Sequence, residues 1–168
     1  MNKCFLILLV IAFASCGKNN TKKSIAAENW KARTATLHNQ DSLEFGKSYL
    51  SVYSQIYSST EHTTHNLTAM VSLRNVSDVD TIFVLNAKYF DTHGKLVKTY
   101  FDTPIFLSPL ETAEIIIDEK DIAGGTGSNF LFEWKTPRNT PEPLFEAIMN
   151  STMSQQGLSF ITQGKRVE

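Results

Sequence analysis

The sequence predicts an antiparallel β-sandwich, and three observations carry the prediction. Apolar and polar residues alternate with the period of a half-buried strand in several separate segments. Turn residues punctuate those segments at short intervals, and no long stretch has the spacing of an amphipathic helix. The first segment, residues 49–57, is rich in Tyr, Val and Ile. Its tyrosines, Tyr49, Tyr53 and Tyr57, recur every fourth residue and would share one face of a strand, with core packing favoured over an aromatic partner-binding face. Leu67, Ala69, Val71 and Leu73 then alternate with Thr68, Met70, Ser72 and Arg74. Residues 81–90 run into Asp91-Thr92-His93-Gly94, a hairpin connection in which Gly94 supplies a positive φ, and residues 96–101 return. Pro104 and Pro109 bracket a short edge piece, and residues 111–118 form a strand around Ile115-Ile116-Ile117. Phe130, Phe132 and Trp134 project together from the next strand, and residues 158–161 close the domain. The segment from Pro143 to Asn150 reads either as a helix, with Leu144, Phe145, Ile148 and Met149 at helical spacing, or as a strand. The strand is favoured because residues 158–161 otherwise lack a partner. About seven short strands in all give an immunoglobulin-like sandwich.

Ahead of this domain the chain has a different character. Lys3 is followed by an apolar run of ten residues, Cys4 to Phe13, then Ala14-Ser15-Cys16-Gly17. A membrane-spanning helix needs about 20 apolar residues, so the run fits the apolar region of a secretory signal. Phe13-Ala14-Ser15-Cys16 resembles a bacterial lipobox, with Phe13 in place of the usual Leu or Val. That resemblance implies cleavage after residue 15, lipid such as palmitate on Cys16, and retention on a membrane. The outer membrane is the default expectation. The division expected is therefore a signal peptide over 1–15, a lipidated flexible tether over 16–46 with a helical turn near residues 26–35, and a β-sandwich over 47–168. Lys18, Lys22 and Lys23 would lie just beyond the lipid, where a solvated tether is favoured over contact with anionic head groups.

Composition narrows the chemistry. Cys4 and Cys16 are the two cysteines, so cleavage and lipidation leave no thiol for a disulfide, a metal site or a nucleophile. Loss of Lys3 takes the formal charge from −1 to −2, which argues against nucleic acid as a partner, because phosphate binding needs a basic footprint. No cofactor motif is present. Serines and threonines are plentiful, but none lies in a nucleophile elbow.

The most unusual stretch is residues 118–129, Asp-Glu-Lys-Asp-Ile-Ala-Gly-Gly-Thr-Gly-Ser-Asn. No Gly-Lys-[Ser/Thr] follows and no helix opens after it, so it is neither a phosphate loop nor a dinucleotide fingerprint. Three readings remain. A structural loop using glycine's tolerance of positive φ is favoured. A recognition loop would use Asp121, Gly124, Gly125, Gly127 and Asn129. A metal site would draw on Asp118, Glu119, Asp121 and Asn129 as oxygen ligands. As a structural loop it should lose stability on alanine substitution at Gly124, Gly125 or Gly127. His62 and His65, beside Glu61, sit in what reads as a polar connection and lack a third ligand. Glu133 and Glu146 are a carboxylate pair only if the fold brings them within about 5–10 Å.

Several short motifs together carry a family resemblance. They are Ser54-Gln55-Ile56-Tyr57, Leu73-Arg74-Asn75, Tyr89-Phe90-Asp91 with Gly94, Asp121 with Gly124 to Phe130, Glu133-Trp134, and Gln155-Gln156-Gly157-Leu158-Ser159-Phe160. Over about residues 48–165 the chain resembles the uncharacterised bacterial family known as domain of unknown function 3124, found in secreted and lipid-anchored proteins. The resemblance implies a fold and a compartment but no activity, substrate or catalytic residue. Two functions are then expected to compete. One is a non-catalytic envelope module that binds a protein or glycan. The other is a metal-assisted or acid–base enzyme built on loop 118–129.

Overall fold

The computed structural model describes residues 28–37, 42–152 and 157–168. The expected signal peptide, Cys16 and the lysines 18, 22 and 23 lie outside the described residues. Strands follow in the order β1 (Leu43–Val52), β2 (Gln55–Ser58), β3 (Thr60–Asn66), β4 (Thr68–Arg74), β5 (Ile82–Phe90) and β6 (Leu96–Phe101). The second half holds β7 (Ile105–Leu107), β8 (Thr112–Ile117), β9 (Ser128–Pro137), β10 (Leu144–Ser151), β11 (Leu158–Gln163) and β12 (Lys165–Arg166). One sheet runs β12-β1-β9-β5-β6, with β7 also pairing β5; the other runs β11-β10-β4-β8, and β2 and β3 form a hairpin of their own. Every strand pairing is antiparallel, and the two larger sheets form a sandwich.

The period-2 pattern of the sequence is what closes this core. In β9, Ser128, Phe130, Phe132, Trp134 and Thr136 are buried and their neighbours are half-buried. In β4, Ala69, Val71 and Leu73 point inward, as does Leu67 just ahead of it. Residues 144–151 form the expected strand, pairing β11 with Ile148 opposite Ile161 and β4 with Ile148 opposite Met70. A ladder of rings ties the sheets together: Tyr89 to Phe130 at 4.8 Å, Phe130 to Phe132 at 5.3 Å, and Phe132 to Phe145 on β10 at 4.2 Å between centroids. Such pairs contribute about 0.5–1.5 kcal/mol each beyond their burial. The indole N–H of Trp134 is buried, which needs a partner, and it donates to Ser48 Oγ at 2.9 Å.

Three sequence expectations change. The strand expected over 49–57 breaks after Val52, because Ser54 turns inward to a buried hydroxyl partner, so Tyr49, Tyr53 and Tyr57 do not share a strand face. Tyr53 packs edge-on against Phe160 at 5.8 Å, whereas Tyr57 is exposed on the hairpin. The connection carrying His62 and His65 is strand β3; residues separated by three on a strand point to opposite faces, so the two imidazoles diverge. Finally, order begins before residue 47. β1 starts at Leu43, and residues 28–37, placed in the tether by sequence, lie against the sandwich. The helical turn expected near residues 26–35 is present as a 3₁₀ turn, Trp30–Arg33, capped by the Asn29 side chain, but it is docked, with Trp30 stacked on Phe101 at 4.8 Å. Thr34 bridges to Ile105, the Ala35 N–H donates to Pro104 O at 2.8 Å, and Arg33 pairs with both Glu28 and Glu111.

The loops fall at two ends of the sandwich. The glycine end carries residues 53–54, the hairpin 91–95 and loop 118–127. The Asn75 end carries residues 75–81, 108–111 and 138–143. Leu110, at the Asn75 end, has φ 58°, a left-handed conformation that a residue with a Cβ enters at a cost of about 1–2 kcal/mol.

Candidate functional site

Loop 118–127 is fastened to the body of the protein. The carbonyl of Gly125 accepts the N–H groups of Ser54 and Gln55, both at 3.1 Å, and the Thr92 N–H donates to Gly124 O at 3.1 Å. Thr92 Oγ1 donates to Gly124 O and accepts from the Gly127 N–H. Beneath the loop lies a buried chain of hydroxyls: Ser54 Oγ and Tyr89 Oη are 2.8 Å apart, Tyr89 Oη donates to Ser128 Oγ, and Ser128 Oγ donates to Val52 O. Burial pushes the Tyr89 phenol above its ordinary pKa despite these partners, so it stays neutral at physiological pH.

The three glycines differ in their reasons. Gly125 has φ 70°, the positive value anticipated for the loop. Gly124 is needed for space instead, since a Cβ there would sit 1.8 Å from Tyr89 Oη. At Gly127 the nearest neighbour of a Cβ is Thr92 Cγ2 at 3.4 Å, an ordinary contact, and φ is not positive. Alanine at Gly127 is therefore expected to be tolerated, contrary to the sequence reading. Asp118 and Asp121 are exposed and accept the N–H groups of Lys120 and Ala123, the local turns that short acidic side chains favour. Asn129 lies beyond the loop in β9, opposite Ser51 and Phe90. Among the described residues, no three His, Cys, Asp or Glu side chains gather in a way that could hold a metal ion.

The carboxylate pair does not form. Glu133 and Glu146 alternate with buried residues of opposite sheets, so they face outward on opposite sides of the sandwich. Glu133 accepts from Asn86 Nδ2 at 2.6 Å and lies 3.6 Å from Lys47, while Glu146 pairs with Arg74 at 3.0 Å.

A cleft that sequence reading missed opens where residues 28–34 cross the corner between β6 and β7. Its volume is about 430 Å³, and Trp30, Tyr100, Asp102 and Thr103 are among its walls, with Glu28, Asn29, Lys31 and Thr34 at its rim. Tyr100 reaches it because the β5–β6 register slips between Ala87 and Lys88, leaving Tyr100 unpaired between Thr99 and Phe101. Its ring rests 5.6 Å from Phe130 and carries Lys98 Nζ 4.3 Å from its centroid. Burial, with smaller effects of Tyr89 and Asp121, pushes its phenol up to about 12, so the hydroxyl stays neutral. Aromatic rings beside carboxylate, amide and hydroxyl groups can stack on an apolar face and satisfy polar groups around it. The only hint in the sequence was Trp30, an isolated aromatic in a polar stretch. Nothing local shows that it meets Phe101.

Neither a curated protein nor a solved structure matches the chain. The family model described as "Protein of unknown function (DUF3124)" matches residues 46–167, from within β1 through β12, and the chain belongs to that family.

Proposed function

We propose that the chain is a non-catalytic envelope lipoprotein, exported by its signal peptide, held on the outer membrane by lipid on Cys16, and binding a protein or glycan partner through its sandwich. The observation that carries the binding claim is the cleft of Trp30, Tyr100, Asp102 and Thr103, an open surface that offers rings and hydrogen-bonding groups together. Sugars and extended peptides both present an apolar face edged by polar groups, which is the chemistry such a wall accommodates. The anchor claim rests on the apolar run that ends in Ala14-Ser15-Cys16. Two or more acyl chains give stable anchoring where one is marginal.

Two measurements test these claims separately. Cys16→Ala should abolish palmitate labelling and release the protein from membranes; continued labelling would remove the anchor from the proposal. A photo-crosslinking residue at position 102 should give a discrete adduct with an envelope protein or cell-wall glycan, and the same residue at the outward-facing position 135 should not. Equal labelling from both positions would mean that the cleft is not the binding surface.

A further inference from the structure

Val79 is 76% exposed, Leu110 68% and Val76 42%, and all three lie in the loops of the Asn75 end. Single exposed apolar residues are ordinary on a protein surface. These three, however, stand on two loops that are tied to one another. The Asn75 N–H donates to Glu111 O and the Leu110 N–H to Ser77 O, both at 2.9 Å. Asn75 Nδ2 reaches Asp80 O at 2.7 Å and the carbonyls of Leu107 and Ser108 at 3.0 Å, and Ser77 Oγ accepts from the N–H groups of Val79 and Asp80. The apolar side chains are thus held outward by a stiff frame. Leu110 also keeps a backbone conformation that glycine or asparagine would enter more easily, and it does so without burying its side chain.

The charges nearby define the surface these residues would meet. The Asp80 carboxylate is taken by Thr140 Oγ1 at 2.8 Å, and Glu111 is held by Arg33 at 2.6 Å and by the Ser108 N–H at 2.7 Å. Asp78 and Arg138 are exposed at this end with opposite charges, as is Glu142, which pairs with Arg166, so no basic cluster selects an anionic surface. Position supplies the last step. Arg33 bridges Glu28 to Glu111, which places the chain at Glu28 beside the residue that follows Leu110. Cys16 precedes Glu28 by twelve residues, which reach about 40 Å at most.

We infer that the Asn75 end rests on a zwitterionic phospholipid surface, with Val76, Val79 and Leu110 dipping into the interface while the glycine end points away. The placement of the surface next to this end rests on the lipid anchor proposed above, but the contact itself can be tested without it. Residues 17–168, which include every described residue and no cysteine, can be held on phosphatidylcholine vesicles through an N-terminal polyhistidine tag and a nickel-chelating lipid. A polarity-sensitive fluorophore is placed on a single introduced cysteine in Val79→Cys, Leu110→Cys or, at the glycine end, His93→Cys. On vesicles, emission at positions 79 and 110 should rise at least about twofold, as expected for a probe leaving water for an apolar medium, and lipid-borne nitroxides should quench it. Position 93 should change in neither respect. A control carrying Val76→Ser and Val79→Ser, with the probe at 110, should show the rise much reduced while circular dichroism stays unchanged. Quenching at 93 equal to that at 110 would overturn the orientation. An absence of change at 79 and 110 would overturn the membrane contact and leave these loops as a protein-binding surface. Because the tag replaces the lipid, failure of palmitate labelling at Cys16 alters none of these outcomes.

Discussion

At the glycine end the chain turns through Gly124 and Gly125 because the interior rises to meet it, with the Tyr89 hydroxyl occupying the space a side chain would need. At the Asn75 end a comparable turn passes through Leu110 at φ 58°, with its side chain in solvent and glycine nowhere in the loop. One end removes strain and side chains together. The other keeps both a strained backbone and an exposed leucine, although neither improves packing. Strain retained without packing in return directs attention to what lies outside the fold, whereas glycines demanded by an internal hydroxyl need no ligand to explain them.

Substitutions can break this contrast. The largest effect is expected for Gly124→Ala, whose Cβ would fall 1.8 Å from Tyr89 Oη and 2.7 Å from Ser128 Oγ. Overpacking of this kind costs about 1–3 kcal/mol, to be read from the urea midpoint. Tyr89→Phe in that background should recover some of the loss, and a double-mutant cycle without coupling would show that the hydroxyl is not the obstacle. Gly125→Ala comes next, at about 1–2 kcal/mol for its positive φ. Leu110→Gly should have the opposite sign, raising stability by up to about 1 kcal/mol, since relief of the left-handed backbone is partly offset by the freer unfolded chain. A loss of stability there would mean that the leucine packs more than its exposure suggests.

The smallest effect concerns acid. Burial pushes Glu111 up, but Arg33 and the Ser108 N–H outweigh it and leave its carboxyl below the ordinary range. A depressed folded pKa contributes stability that is fully present above the unfolded value and is lost as pH falls through the folded one. The protection of the Ala35 amide, whose N–H donates to Pro104, taken relative to intrinsic exchange at each pH, should therefore fall below the ordinary carboxylate range. Glu111→Gln should flatten that dependence. If the acid response persists unchanged in the variant, another group controls the docking of residues 28–37.

The sandwich was legible wherever burial falls on every second residue. The rule holds in β8 and β9 and, but for the buried Ser72, in β4; the segment from Pro143 to Asn150, read as a strand because residues 158–161 needed a partner, follows it too as β10. It says nothing about β3, whose Thr-Glu-His-Thr-Thr-His-Asn is mostly exposed on both faces and has no apolar member to alternate. Long-range contact was the other blind spot. Gly124 answers to Tyr89, and Trp30 answers to Phe101; neither relation leaves a trace within a local window. The glycine loop was conspicuous by composition, yet the cleft was assembled from one aromatic in a polar stretch and a bulged tyrosine, features that no spacing rule selects.

The docking of residues 28–37 has a mechanical side. Pulling on the chain ahead of Glu28 would first load the stack of Trp30 on Phe101, the Arg33 ion pairs and the single bridge at Thr34, which can break in succession as a peel. Their release would free the fifteen residues that precede Leu43, a slack of about 50 Å at full extension. Only then would tension reach β1, which is bonded along its length to β9 and again to β12, so its bonds must yield together. The segment that closes the cleft would thus serve as a fuse, opening the cleft before the sandwich itself bears any load.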